Sequence, residues 1–241
     1  MRSLLPGVFL IVIGTTAALA APFKVSSPKA ASGPKLKIET EYKEGGAKGK
    51  LTLPKVEIKT PLAPGLDLAI KASYRAIREE GRFGRSGPGD LEVKSKWNFL
   101  SLGDFAMAIE PLVSFPTGSA RRGLGEGDVA FELPLILGYK TGAWELGAEI
   151  GYTHTHHQRE DDIAYLGMLV MRRVLPTLRL GTEIVMETPR ARLREADTFL
   201  NVGLKWGFGG RFELQALAGT SLDTADHQRV GKFKLAIETK F

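Results

Sequence analysis

The chain of 241 residues contains no cysteine, which excludes a disulfide framework and any thiolate chemistry. Histidine is scarce: it occurs only at positions 154, 156, 157 and 227. Beyond the N-terminus, no stretch approaches the ~18 consecutive apolar residues of a transmembrane helix. The longest apolar runs, Leu133 to Tyr139 and Tyr165 to Met171, are strand-sized. No helical period of useful length and no second domain can be read. The formal net charge of +6 is mildly basic. Both signs alternate along the chain instead of forming one basic patch, which argues against a nucleic-acid partner.

What is present begins with an export pattern. Arg2 supplies a positive n-region, Leu4 to Ile13 an apolar core, and Ala18-Leu19-Ala20 an A-x-A cleavage site. The pattern predicts a signal peptide over 1–20, whose loss removes Arg2 and lowers the net charge from +6 to +5. Residues 21–34 are rich in Ala, Ser, Pro and Lys and are expected to be a flexible periplasmic lead-in. Residues 35–241 are expected to form one β-domain.

That domain has period two. Leu66, Leu68, Ile70, Ala72 and Tyr74 alternate with Asp67, Lys71 and Arg75, and Phe233, Leu235, Ile237, Thr239 and Phe241 alternate with Lys232, Lys234, Glu238 and Lys240. Strict alternation gives one apolar and one polar face. About 12 such segments can be counted by this criterion: 35–42, 50–59, 66–77, 91–100, 103–115, 127–139, 143–154, 162–172, 177–187, 198–208, 211–220 and 230–241. The second shifts phase at Pro54, as at a bulge. The eighth is ambiguous, because Ala164 to Val170 is apolar on both faces.

Connector lengths alternate as well. Long candidates lie at 43–49, 78–90, 116–126, 155–161, 188–197 and 221–229, and short ones at 60–65, 101–102, 140–142, 173–176 and 209–210. Outer-membrane barrels have long extracellular loops, short periplasmic turns and an even strand number. Phe99, Phe105, Tyr139, Trp144, Trp206, Phe208, Phe212 and Phe241 fall beside the short connectors, and Tyr42, Tyr74, Phe115 and Tyr152 beside the long ones. Two aromatic girdles are expected at the two membrane interfaces. The bilayer core offers backbone groups no water, so a β-protein crosses only if its sheet closes on itself. The expected fold is therefore all-β: a closed antiparallel up-and-down transmembrane barrel of about 12 strands in the outer membrane. A soluble periplasmic sandwich or lipocalin-like barrel also alternates and is the competing architecture.

Residues 87–100, GPGDLEVKSKWNFL, resemble a strand opening of a family of Gram-negative outer-membrane transporters associated with aromatic-compound degradation, the phenol meta-pathway barrel family. Pro111 to Gly118, Gly123 to Asp128 and Ala143 to Tyr152 resemble its following elements. The resemblance implies a barrel acting in transport and supplies no catalytic residues. The C-terminal strand ending in Phe241 resembles the signal read by the outer-membrane assembly machinery.

No cofactor or metal is expected. Lumen-lining candidates on the polar phase are Lys71, Arg75, Lys94, Lys96, Glu110, Glu132, Glu145, Glu149, Glu183, Lys205, Lys232 and Lys234. Their mixed sign implies no strong ion selectivity. Arg78 to Asp90 is the largest segment able to fold inward as a plug. His154, His156 and His157, with Glu160 to Asp162, have metal-ligand chemistry, set against a plain polar loop. Loop arginines 82, 85, 121, 122, 190, 192, 194 and 229 could meet lipopolysaccharide phosphates or be neutralised by Glu79, Glu80, Glu126, Glu195 and Asp197. Gly123 to Asp128 lacks dinucleotide-loop spacing and reads as a turn before a strand. Glu145 and Glu149 share a strand face, but no serine, histidine and acid fall at matching heights, so no enzyme is expected. The expected function is passage or binding of small molecules. The alternatives are a closed structural or adhesive barrel acting through its loops, and a soluble periplasmic β-protein.

Overall fold

The structure is a computed structural model that describes residues 22–156, 162–189, 196–224 and 228–241. The expected signal peptide lies outside the described residues. Among the described residues, fourteen strands form one sheet: β1 (Lys35–Gly45), β2 (Lys48–Ala63), β3 (Leu66–Glu79), β4 (Arg82–Pro88), β5 (Leu91–Leu102), β6 (Phe105–Ile109), β7 (Leu112–Phe115), β8 (Ala130–Thr141), β9 (Trp144–Thr155), β10 (Ile163–Leu175), β11 (Leu178–Pro189), β12 (Asp197–Phe208), β13 (Phe212–Asp223) and β14 (Val230–Lys240). Antiparallel pairing of β1 with β14, from Lys35↔Lys240 to Gly45↔Val230, closes the sheet into a barrel.

Two barrel positions are each shared by two strands. β4 pairs with one half of β3 and β5 with the other half. β6 and β7 both lie between β5 and β8, interrupted at Glu110-Pro111. The closed barrel thus has twelve positions, the number read from the alternation. At Pro54 the β2–β3 register shifts between Thr52 and Lys55, where the phase change had placed a bulge.

Side chains sort as a membrane barrel requires. Ile58, Ile70, Trp97, Ile150, Met168 and Ile184 are exposed on the outside, while Glu39, Asp67, Lys96, Glu149, Glu183 and Asn201 are buried inside. A soluble sandwich would do the reverse. Trp97, Phe99, Tyr139, Trp144, Trp206 and Phe212 are exposed toward the end where Lys35 pairs with Lys240, the terminal end, and Tyr74, Phe115 and Tyr152 toward the opposite end.

Three expectations change. Residues 78–90 are neither a long loop nor a plug: β3 and β4 continue as a hairpin around Glu80 and Gly81, whose positive φ values of 49° and 84° make the tight turn. The connectors expected at 43–49 and 60–65 shrink to 46–47 and 64–65, because the flanking strands run on. Residues 22–34 are not a flexible lead-in; they pack inside the barrel, with Val25 fully buried.

Candidate functional site

The segment 22–34 enters the lumen from the terminal end, where the Phe241 N–H donates to the Pro34 carbonyl at 3.1 Å. With no strand partner, its backbone groups need other acceptors. Wall carboxylates supply them. The N–H of Ala31 donates to Asp67 at 2.6 Å, that of Ser26 to Glu149 at 2.7 Å, and that of Val25 to Glu183 at 2.8 Å. The Lys96 ammonium donates to the Ser27 carbonyl at 2.6 Å. Lys24 reaches Glu132 at 3.0 Å and sits 3.8 Å above the Tyr165 ring. Burial opposes the Lys24 charge, but Glu132, Glu187 and Glu149 outweigh it and its pKa is raised above the ordinary lysine value. Such charge-assisted bonds are the stronger kind.

The apolar part of this plug also has a prepared seat. Phe23 and Val25 form one buried cluster with Leu169, Met171 and Leu217. Glycine makes the close approach possible. A Cβ at Gly167 would stand 2.5 Å from a Val25 methyl, and one at Gly181 or Gly203 would stand 2.9 Å from the Phe23 ring. This explains the two-faced apolar run in β10. Leu166, Met168 and Val170 point outward, while Gly167, Leu169 and Met171 face the plug. The signal was present in the sequence as glycine and apolar residues on the lumen phase of β9 to β12, together with Phe23 and Val25 in the lead-in.

At the opposite end, the connector between β7 and β8 folds over the barrel mouth. Leu124 is buried against Gly87. The Asp90 carboxylate accepts from the N–H of Gly118 at 2.9 Å and of Glu126 at 2.8 Å, and Arg75 donates to the Leu124 carbonyl at 2.9 Å. A Cβ at Gly125 would lie 2.5 Å from Asp90 Oδ1. The Gly87–Asp90 and Gly118–Asp128 motifs therefore dock on each other, and Gly123 caps a short 3-10 turn over Ala120–Arg122.

Between the plug and the wall of β1 to β8 lies a cavity of about 740 Å³. Its lining runs from Lys35 at the terminal end to Thr155, Ile163 and Pro189 at the other. Eleven cationic side chains and seven carboxylates line it. The structure places Lys71, Arg75, Lys94, Lys96, Glu110, Glu132, Glu149 and Lys234 on this cavity. Glu183 and Glu149 anchor the plug; Glu145 pairs with Lys140 at 3.0 Å and Arg179 at 3.5 Å; Lys205 lines a smaller space with Glu145 and Val25. Lys232 is half-buried at Lys43↔Lys232 in the β1–β14 ladder. Sequence reading had no way to select the plug anchors Asp67 and Tyr165. Tyr165 lies 2.8 Å from both Glu132 and Glu149.

The remaining clusters hold less. His154 Nδ1 meets Asp162 at 2.9 Å, and a hydrogen bond from Tyr152 holds the Asp162 carboxyl below its ordinary pKa. His157, Glu160 and Asp161 lie outside the described residues. Among the described residues, no group of three or more His, Asp or Glu side chains is placed to hold a metal ion. Arg85 pairs with Glu79; arginines 190, 192 and 194 and Glu195 lie outside the described residues.

A family model described as "Putative MetA-pathway of phenol degradation" matches residues 56–238. The chain belongs to that family. No curated protein matches it in sequence. Among solved structures it is similar to an outer membrane channel from Pseudomonas putida F1, at 13% identity and a TM-score of 0.69 over 93% of this chain and 100% of that one. It is also similar to the NanC porin, at 9% identity and TM-score 0.64 over 86% and 100% of the two chains. A third is the KdgM porin in complex with disordered oligogalacturonate, at 10% identity and TM-score 0.60 over 85% and 99%. At these identities the likeness is one of fold: that of outer-membrane porin-type barrels.

Proposed function

We propose that this family member is an exported outer-membrane channel that lets small molecules pass beside its N-terminal plug. One observation carries the reading: the charge-lined cavity of about 740 Å³ whose lining extends from one rim of the barrel to the other. That volume is within the roughly 300–1,000 Å³ of small-molecule sites. Twelve strands enclose more width than the ~8 that side chains alone fill, and less than the 16 of an open porin. The plug takes up part of the difference. The reading is non-enzymatic, supported by the channel relatives and by the engagement of Glu132, Glu149 and Glu183 in holding the plug. The family's description supports small products or substrates of phenol degradation as the solutes. Export through a cleaved signal over 1–20, recognition of Phe241 by the assembly machinery and contact of the loop arginines with lipopolysaccharide belong to the same proposal.

The plug and the docked loop over the mouth favour the second reading, a closed barrel working through its loops. Planar-bilayer recording of the purified full chain separates them. Discrete current steps are expected. A heat-modifiable, folded barrel that inserts and gives no steps supports the closed barrel.

A further inference from the structure

The cationic excess of the cavity is not spread evenly. Along one row of the wall, Lys37, Glu57, Lys71 and Glu92 are direct cross-strand neighbours, so the signs alternate. The adjacent row toward the terminal end has no such balance. Lys35 stands opposite Lys59, Lys59 opposite Ala69, and Ala69 opposite Lys94. Like charges directly opposite are unfavourable. Lys35 is answered by Glu238 at 3.1 Å and Lys94 by Glu110 at 3.1 Å. The carboxylate at Lys59 is Glu57 of its own strand, at 3.8 Å, and Lys94 reaches that same carboxylate at 3.4 Å. Glu110 is likewise shared, with Lys96 at 3.0 Å. Lys96 also stands opposite Asp67, which takes the Ala31 N–H, and donates to the Ser27 carbonyl. Of the groups that face the cavity here, the three ammonium groups divide two carboxylates, Glu57 and Glu110.

Beside them the lining turns apolar. Leu112 is the cross-strand neighbour of Lys94, and Pro134 lies next to Glu110, whose N–H donates to its carbonyl. A positive centre next to a small apolar surface, sheltered by the plug, fits an anion with an apolar body.

We propose that the cavity binds a small organic carboxylate, its head group between Lys59, Lys94 and Lys96 and its body against Leu112 and Pro134. The inference rests on the reading of this cavity as the solute path and names the class of solute. The carboxylate would accept charge-assisted hydrogen bonds from three ammonium groups that share two carboxylates of the cavity wall, in surroundings where charge is screened less than in water.

Equilibrium dialysis of labelled benzoate against the full barrel folded in neutral detergent tests this without requiring current. Saturable binding is expected for benzoate and none for benzylammonium, which has similar size and opposite charge. Lys59→Gln should weaken benzoate binding about tenfold, the scale of one charge-assisted bond. Glu57→Gln, which removes a carboxylate from Lys59 and Lys94, should tighten it. Heat-modifiable migration reports that each variant is folded. No saturable benzoate binding to the folded parent, equal binding of benzylammonium, or an unchanged constant in both folded variants overturns the proposal. Absence of current steps alongside intact binding would instead count against the channel.

Discussion

Truncating Phe23 should loosen the plug without unfolding the barrel. Its ring is 5% exposed and rests on Gly181 and Gly203 beside Met171 and Leu217. In Phe23→Ala the vacated seat opens onto the charged cavity that Phe23 lines and can fill with water, so the cavity cost that inflates core truncations is largely relieved. The transfer contribution of a buried Phe side chain remains, about 2–3 kcal/mol. At 1.4 kcal/mol per tenfold, the ratio of docked to undocked plug falls about 30- to 150-fold. The wall itself changes little, because Phe23 belongs to no strand. Single-channel recording should show current levels higher than those of the parent, occupied far more often in Phe23→Ala. A variant with the parent's amplitudes and the parent's open times would refute the reasoning, since it would mean that Phe23 contributes nothing to the seat or that the plug does not limit the path.

Other consequences follow from the same geometry. Gly167→Val puts methyl groups where Val25 lies, because even a Cβ would approach it to 2.5 Å; single-channel current should rise as in Phe23→Ala, with heat-modifiable migration kept. Asp90→Ala removes the charged acceptor for the part-buried N–H groups of Gly118 and Glu126, at about 1.5 kcal/mol for each hydrogen bond to a charged group. Trypsin cleavage after Arg121 or Arg122 in proteoliposomes should then be at least about tenfold faster than in the parent, by the conversion of 1.4 kcal/mol per tenfold. Deleting Phe241 should impair membrane assembly while leaving export intact, measured as loss of outer-membrane protein with periplasmic material retained; normal outer-membrane levels would count against it.

The wall of the barrel was legible because lipid and lumen impose opposite demands on alternate residues. Ile70 and Lys71 sit one step apart in β3, one exposed on the outside and the other lining the cavity. The strand number followed from that period, even where β4 with β5 and β6 with β7 share positions, because each break falls within one barrel position. The plug was not legible as a plug. Residues 22–34 carry Ala, Ser, Pro and Lys, the composition of a linker, and their order comes from partners distant in the chain: Glu183 lies 158 residues from Val25 and Glu149 lies 123 from Ser26. Local pattern cannot report such pairings. The trace the plug leaves is indirect, on the wall that receives it, as glycines and an apolar lumen phase in β10. The docked loop was half-visible. Its motifs at Gly87–Asp90 and Gly123–Asp128 stood out as turns, but their meeting through Asp90 depends on the hairpin extension of β3 and β4. By sign alone, the mixed charge of the lumen phase implies no strong selectivity. Counting heads misses the cross-strand register, which sets Lys35 against Lys59 and concentrates the positive excess.

The central claim is that an aqueous path for small molecules runs beside the docked plug. Liposome swelling with the purified full chain and a graded series of uncharged sugars tests it most directly. The account predicts swelling with the smallest solutes and a steep fall across the disaccharides, because the plug narrows the lumen. Folded, inserted barrels that admit none of the series would contradict it.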